Sequence, residues 1–114
     1  MTLEFINPPE LAPPSGFSHA AVGSGRLVFL AGQTALDGSG RIIDGTVVDQ
    51  FDMALRNLLS TLAAAGGQPA DLASLTLYIV DIADYRANSR AIGVARLWDE
   101  EALVEVQGYA VLPS

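Results

Sequence analysis

The chain has 114 residues, 50% of them hydrophobic and 17% charged, a balance that suits one compact domain covering residues 1–114. It has no cysteine, no lysine and one histidine, so the sequence excludes disulfides, thiolate nucleophiles, Schiff-base chemistry and a histidine-rich metal centre. Thirteen acidic residues against six arginines give a net charge of -7, which repels phosphate backbones and argues against nucleic acid as a partner.

Composition also bears on location and cofactors. No apolar run approaches the roughly 18 residues that a membrane-spanning helix needs. The N-terminal residues 1–15 lack the basic start and apolar centre of a signal peptide. We therefore expect a cytoplasmic protein that has no membrane partner, holds no metal and needs no cofactor.

Prolines and glycines shape the first part of the chain. Residues 7–16 contain four prolines, which cannot donate hydrogen bonds to a β ladder and predict an irregular lead-in. A short strand is expected at residues 19–22, followed by a turn at residues 23–25. Residues 26–32 then have the pattern of a longer strand, in which apolar residues face both ways.

The central region predicts a turn and a helix. Asp and Gly residues predict a tight turn at residues 37–40, and a short returning strand is expected at residues 41–43. Apolar residues then recur at spacings of three and four over residues 47–62, which predicts an amphipathic helix. Thr46 is placed to cap its N-terminus, and the two glycines that begin at Gly66 are placed to end it.

The last third of the chain contains strands of unequal length. Residues 74–80 predict a strand, and a second helix is expected over residues 84–92. The apolar pattern of residues 103–112 predicts a long strand, whose apparent hairpin partner is residues 94–97. The partner is too short to pair with all of the long strand.

The strands at residues 26–32 and 74–80 also predict oligomerisation. Both have apolar residues on both faces, whereas one full helix and part of another cover only one face of a sheet. The second face therefore needs cover from elsewhere, and another subunit is the simplest source. The alternative is that loops and the proline-rich lead-in fold over that face.

Five segments, in this order and with this spacing, resemble the RidA/YjgF family, also called endoribonuclease L-PSP-like. The segments are the strand end Ala31-Gly32-Gln33, the turn at residues 37–40, the helix end at residues 64–67, the block at residues 71–82, and the VARL segment at residues 94–97 before residues 104–111. The resemblance implies an α+β fold of the chorismate-mutase type, with a single mixed β-sheet backed by two helices on one face. It also implies a homotrimer with small-molecule clefts between subunits.

The resemblance further implies an activity for the active branch of the family, which is the hydrolysis of reactive enamines and imines to ketoacids and ammonia. In that chemistry an arginine binds the substrate carboxylate through a bidentate contact, while a glutamate and main-chain groups position and activate water. The ligand expected here is therefore a small carboxylated or carbonyl metabolite.

The chain departs from the family pattern before the VARL segment. Roughly 15 to 20 residues, enough for the end of a helix and most of a strand, are missing between Gly93 and Val94. This is either a real deletion or an omitted segment, and we favour omission because a half-unpaired strand would expose its hydrogen-bonding groups. The family's arginine lies in the missing stretch. Neither Arg90 nor Arg96 matches its position, so the catalytic residues remain unknown.

A second departure concerns the predicted ligand-binding residues, which are Phe17, Ala31, Gly32 and Gln107. By the resemblance, Gln107 occupies the position where active members carry a glutamate, and an amide can orient water but cannot exchange a proton near neutral pH. Phe17 stands where a hydroxyl-bearing aromatic residue often lines the cleft, and Ala31 stands where a serine often precedes the glycine. Each replacement removes a hydrogen-bonding group.

These site residues have ordinary structural alternatives. Glu105, Gln107 and Tyr109 alternate along the long strand and so share one face, which without the resemblance would be a polar outer surface. Gly32 could simply end a strand.

Three functional hypotheses follow. The first is a RidA-like homotrimer with enamine or imine deaminase activity. The second is a family member that keeps the trimer and binds a metabolite, or acts as a scaffold, without catalysis, which the residues at positions 17, 31 and 107 favour. The third, RNA cleavage, rests on the family's older name alone, and the acidic charge argues against it.

Overall fold

Two β-sheets and one long helix make up the residues that the structure describes. The computed structural model describes residues 3–80, 92, 93, 97 and 101–113. The strands are β1 (Leu3–Ile6), β2 (Ala20–Gly23), β3 (Arg26–Gln33), β4 (Leu72–Ile79), β5 (Ile92–Gly93) and β6 (Val104–Leu112). The helix α1 spans Val47–Ala64, and a short 3-10 helix spans Pro69–Asp71. The expected α+β class is confirmed.

The larger sheet is mixed and contains four strands in the order β3-β6-β4-β5. β6 runs antiparallel to both of its neighbours, whereas β5 pairs in parallel with β4. The expectation of a single sheet is wrong, because β1 and β2 form a separate two-stranded sheet. The chain changes direction at Gly25, whose φ of 143° is strained for any other residue, and β2 does not continue into a hairpin with β3.

The long strand β6 is paired on both sides. Its pairing with β3 runs from Arg26 opposite Leu112 to Gln33 opposite Val106. Its pairing with β4 extends to Val104. The prediction that β6 depends on a short hairpin partner is therefore wrong, because β3 and β4 supply its hydrogen-bond partners.

This pairing also removes our reason for favouring an omitted segment between Gly93 and Val94. The missing stretch itself stays a prediction, and the VARL residues other than Leu97 lie outside the described residues. The predicted second helix at residues 84–92 lies outside them too, except that Ile92 belongs to β5.

Helix α1 begins and ends where the sequence predicts. The Thr46 side chain accepts a hydrogen bond from the Asp49 backbone N–H at 3.2 Å, and the Thr46 N–H donates to the Asp49 carboxylate at 3.0 Å. This reciprocal capping box satisfies two donors that the first turn leaves free. At the other end Gly66 takes a φ of 92°, and the Gly67 N–H donates to the Leu62 carbonyl at 2.9 Å. Across the described residues, no helix is long and apolar enough to cross a membrane.

The core lies between α1 and one face of the larger sheet. Ala54, Leu58 and Leu62 of α1 are each 0% exposed and belong to one buried cluster with Val104 and Val106 of β6. Burying a leucine side chain contributes about 1.5–3 kcal/mol to stability. The burial of these side chains between α1 and β6 therefore stabilises the described fold.

The opposite face of the larger sheet, which we call the open face, points away from α1. The even-numbered residues of β6 are buried, whereas Glu105, Gln107 and Tyr109 between them are partly or largely exposed. This alternation is the expected one for a strand with one face in the core. The predicted ligand-binding residue Gln107 therefore lies on the open face.

The open face is apolar on β3 and polar on β4. Leu27 and Phe29 are 65% and 72% exposed, as the alternation in β3 predicts, so the lead-in does not cover them. The β4 residues opposite the open-face residues of β6 are Ser74, Thr76 and Tyr78. Antiparallel partners share a face. The expectation that residues 74–80 are apolar on both faces is therefore wrong.

The turn at residues 37–40 is built around one carboxylate. Asp37 Oδ1 accepts hydrogen bonds from the Ser39 hydroxyl at 2.7 Å, the Ser39 N–H at 2.9 Å and the Arg41 N–H at 3.1 Å. These bonds, led by that of the Ser39 hydroxyl, lower the pKa of Asp37. The returning strand predicted at residues 41–43 is reduced to one bridge, between Leu36 and Ile42.

We predict that Leu58→Ala lowers the free energy of unfolding by about 2–5 kcal/mol, because it leaves a cavity in the centre of the core. Val48→Ala is the matched control, since Val48 lies on the same helix but is 55% exposed. Urea unfolding followed by circular dichroism measures both variants. Equal losses in the two variants would contradict the packing described here.

Candidate functional site

A β-bulge lies at the predicted ligand-binding residues Ala31 and Gly32. The register between β3 and β6 is regular from Arg26 to Leu30 and shifts before Gln33. Bulges leave a residue out of the hydrogen-bond ladder and are common beside active sites, where they redirect backbone groups. The sequence did not reveal this bulge, because nothing in its alternation marks a change of register.

The carboxylate of Glu105 lies directly against Gly32. A methyl group added at Gly32 would be 2.5 Å from Glu105 Oε2 and 2.7 Å from its Cδ. Atoms cannot approach so closely without contact repulsion, so the carboxylate occupies this position because residue 32 has no side chain. The structure thus gives Gly32 a steric role beyond ending a strand.

Glu105 is the functional candidate that sequence reasoning missed. We assigned the family's glutamate position to Gln107 and treated Glu105 as part of a polar surface. The sequence did indicate that Glu105 lies on the same face as Gln107, because residues two apart on a strand share a face. A carboxylate can accept and return a proton, which the Gln107 amide cannot do. The open face therefore keeps a group able to exchange protons.

The open face has two chemically different ends. Its polar end comprises Gly32, Glu105, Gln107 and the β4 residues opposite the last two, Tyr78 and Thr76. Its apolar end comprises Leu27, Phe29 and Tyr109. The rings of the last two meet edge to face, with centroids 5.5 Å apart and planes at 88°. The open face therefore presents a polar patch beside exposed aromatic rings.

Phe17 lies in a different place within the single chain. It lines an open groove of about 750 Å³, together with residues of β1, β2 and β4, and the groove lining includes neither Gly32 nor Gln107. The Phe17 ring meets the His19 ring edge to face at 5.4 Å. The structure thus gathers three of the four predicted ligand-binding residues at or beside the polar end, since Ala31 adjoins Gly32, but not Phe17.

His19 anchors the lead-in beside this groove. Its N–H donates to Asn7 Oδ1 at 2.8 Å, and its Nε2 lies 2.9 Å from the Ala12 carbonyl oxygen. Both partners belong to the proline-rich segment. His19 therefore ties the lead-in to the start of β2.

The other charged side chains that the structure describes form no metal site. Among the residues that the structure describes, no three His, Cys, Asp or Glu side chains are grouped so that they could hold a metal ion. Arg56 makes a surface ion pair with Asp52 at 2.9 Å, one turn away on α1. Arg90 and Arg96 lie outside the described residues.

Comparison with known proteins gives consistent matches. A family model described as Endoribonuclease L-PSP matches residues 8–93. The matched region ends at Gly93, the residue after which the sequence predicts a missing stretch. A RutC family protein of Pyrococcus horikoshii is 32% identical over 117 residues, which cover 89% of this chain and 92% of the relative. A mouse 2-iminobutanoate/2-iminopropanoate deaminase is 35% identical over 66 residues, which cover 57% of this chain and 49% of the relative.

A solved structure matches over almost the whole chain. The Rid family protein YyfB of Yersinia pestis, a protein of unknown function, superposes with a TM-score of 0.85 and 32% sequence identity. The match covers 98% of this chain and 100% of that one. The fold described above is therefore shared with an experimentally determined structure.

We predict that Gly32→Ala displaces the Glu105 carboxylate while lowering stability little, because the group it meets is the end of a flexible side chain. A crystal structure of the variant, or the carboxyl carbon chemical shift of Glu105, measures the displacement. Gly38→Ala is the control, since a methyl group there meets no atom within 4 Å. An unmoved Glu105 in Gly32→Ala would show that the two residues are not in contact.

Proposed function

Because the chain belongs to the Endoribonuclease L-PSP family, also called RidA/YjgF, we propose that it hydrolyses small imines and enamines to ketoacids and ammonia. Relatives named 2-iminobutanoate/2-iminopropanoate deaminase, 35% and 34% identical over about half of the chain, support this reaction. The observation that carries the proposal is the Glu105 carboxylate held against Gly32 at the polar end.

The reaction needs one group that exchanges protons and a surface that orients water. Glu105 takes a proton from the water whose oxygen attacks the carbon of the protonated imine, which forms a neutral tetrahedral carbinolamine. Glu105 then returns that proton to the amino nitrogen, and the carbon–nitrogen bond breaks. The hydroxyl proton of the intermediate passes to the departing ammonia as the carbonyl forms, which gives the ketoacid and ammonium. The Gln107 amide, on the same face, is suited to hold water or the substrate carboxylate through its polar atoms.

Substrate binding requires a cation for the carboxylate. The family resemblance implies an arginine in this role, in the stretch predicted to be missing between Gly93 and Val94. Backbone groups freed by the bulge at Gly32 supply further hydrogen-bond donors or acceptors at the same site. The substrate class we propose is a small imine that carries a carboxylate, one of the small carboxylated or carbonyl metabolites that the sequence predicts.

We also propose that the chain forms a homotrimer through the open face. Leu27, Phe29 and Tyr109 are 65%, 72% and 46% exposed and form an apolar end that a single chain leaves in water. Covering such a patch releases ordered water and is favourable. The polar end would then lie at the edge of the subunit contact, where a cleft between chains forms.

A second candidate is a family member that binds its metabolite without converting it. Phe17, Ala31 and Gln107 favour it, because each lacks the hydroxyl or carboxyl group found in active members. The two candidates share the fold and the trimer and differ only in turnover. Stabilisation of the folded chain by a ketoacid, without imine hydrolysis, would select the second candidate.

We predict that the protein accelerates the decay of 2-iminopropanoate generated enzymatically from serine, and that Glu105→Gln lowers kcat by about 10²- to 10⁴-fold, the usual contribution of a general acid–base group. Glu101→Gln is the matched control, because it makes the same chemical change at an exposed position just before β6. Absence of acceleration by the wild-type protein would end the deaminase proposal, whatever the variants do.

We predict that Phe29→Arg converts the trimer to monomers, because it places a charge in the apolar contact. Sedimentation velocity measures the mass of the particle. Val48→Arg is the control, since Val48 is 55% exposed on α1, away from the open face. A wild-type particle of 11.9 kDa would contradict the trimer directly.

A further inference from the structure

One buried amide of α1 binds the chain just ahead of β6. Gln50 is 3% exposed, and its Nε2 donates to the Glu101 carbonyl at 3.1 Å and more weakly to the Ile43 carbonyl at 3.4 Å. Its Oε1 accepts a hydrogen bond from the Leu103 N–H at 2.9 Å. The side chain thus uses both its donor and its acceptor to fix a segment that ends two residues before Glu105.

A second amide of α1 binds the chain just after β3. Asn57 lies seven residues after Gln50, about two helical turns, and so on a similar side of α1. Its Nδ2 donates to the Thr34 carbonyl at 3.1 Å and to the Leu36 carbonyl at 3.0 Å. The fixed segment begins two residues after Gly32.

The segment at residues 34–36 follows Gly32 closely, and the segment at residues 101–103 closely precedes Glu105. Gly32 and Glu105 are held by backbone that is anchored on the opposite side of the sheet. We propose that Gln50 and Asn57 are positioning residues, which set the distance between the Gly32 backbone and the Glu105 carboxylate without touching the ligand. Their importance for catalysis rests on the proposed deaminase function, whereas their effect on geometry does not.

The chemistry of the side chains explains why amides serve here. At position 50 one side chain must donate to a carbonyl and accept from an N–H, which a glutamine does and a glutamate or methionine does not. The low exposure of Gln50 makes each bond costly to lose, because water cannot replace the missing partner. A variant that removes these bonds therefore releases the backbone segment instead of exchanging one fixed geometry for another.

The experiment compares Gln50→Met and Asn57→Leu with Leu62→Ala in the otherwise unchanged protein. Leu62 is 0% exposed near the C-terminal end of α1, so its variant lowers stability through the core without touching either segment. We expect both amide variants to shift the NMR resonances of the Gly32 amide and the Glu105 carboxyl carbon. We also expect kcat to fall by about 10²-fold with KM changed little, because a displacement of a catalytic group by roughly 1 Å has an effect of this size. Leu62→Ala should leave these resonances and kcat near wild type.

The outcomes separate a positioning role from simple stabilisation. If folded Gln50→Met and Asn57→Leu keep both resonances in place, or if Leu62→Ala shifts them equally, the proposal is wrong. If the wild-type protein shows no imine hydrolysis, the proposed function fails, and the resonance shifts still decide the positioning role. If Gln50→Met does not fold, Gln50→Glu replaces it, because the glutamate keeps the acceptor for the Leu103 N–H and loses only the donors. An unchanged Glu105 resonance in Gln50→Glu would also overturn the proposal.

Discussion

The structure depends on the position of β6 between β3 and β4. One set of its side chains packs on α1 and forms the core, and the other set forms the open face with Glu105 and Gln107. Because β3 and β4 bond to both of its edges, the strand is fixed in place by backbone hydrogen bonds as well as by packing. Core and candidate site are therefore two faces of one strand.

Local patterns in the sequence predicted the local elements well. Helix α1 and its cap at Thr46 follow from apolar spacing and from a side chain able to accept a backbone hydrogen bond. The exposed side of β3, with Leu27 and Phe29, follows from alternation. These features depend on residues close in the chain, so one sequence is enough to indicate them.

Features that depend on distant pairing were predicted less well. We expected β6 to pair with its sequence neighbour, whereas its partners come from far along the chain. The separate sheet of β1 and β2 and the bulge beside Gly32 have the same origin, since register between distant strands leaves no local pattern. The proximity of Glu105 to Gly32 was not predicted either, because the sequence does not show which residue of β3 lies beside which residue of β6.

The alternation along β6 has a consequence for misfolding. A slip of its pairing by one residue would exchange the two faces, burying the charge of Glu105 under α1 and exposing Val104 and Val106 to water. Burying an unpaired carboxylate is so unfavourable that such a state would not persist. The Glu105 carboxylate on the open face therefore acts against the wrong register and helps to ensure that the sheet assembles in only one way.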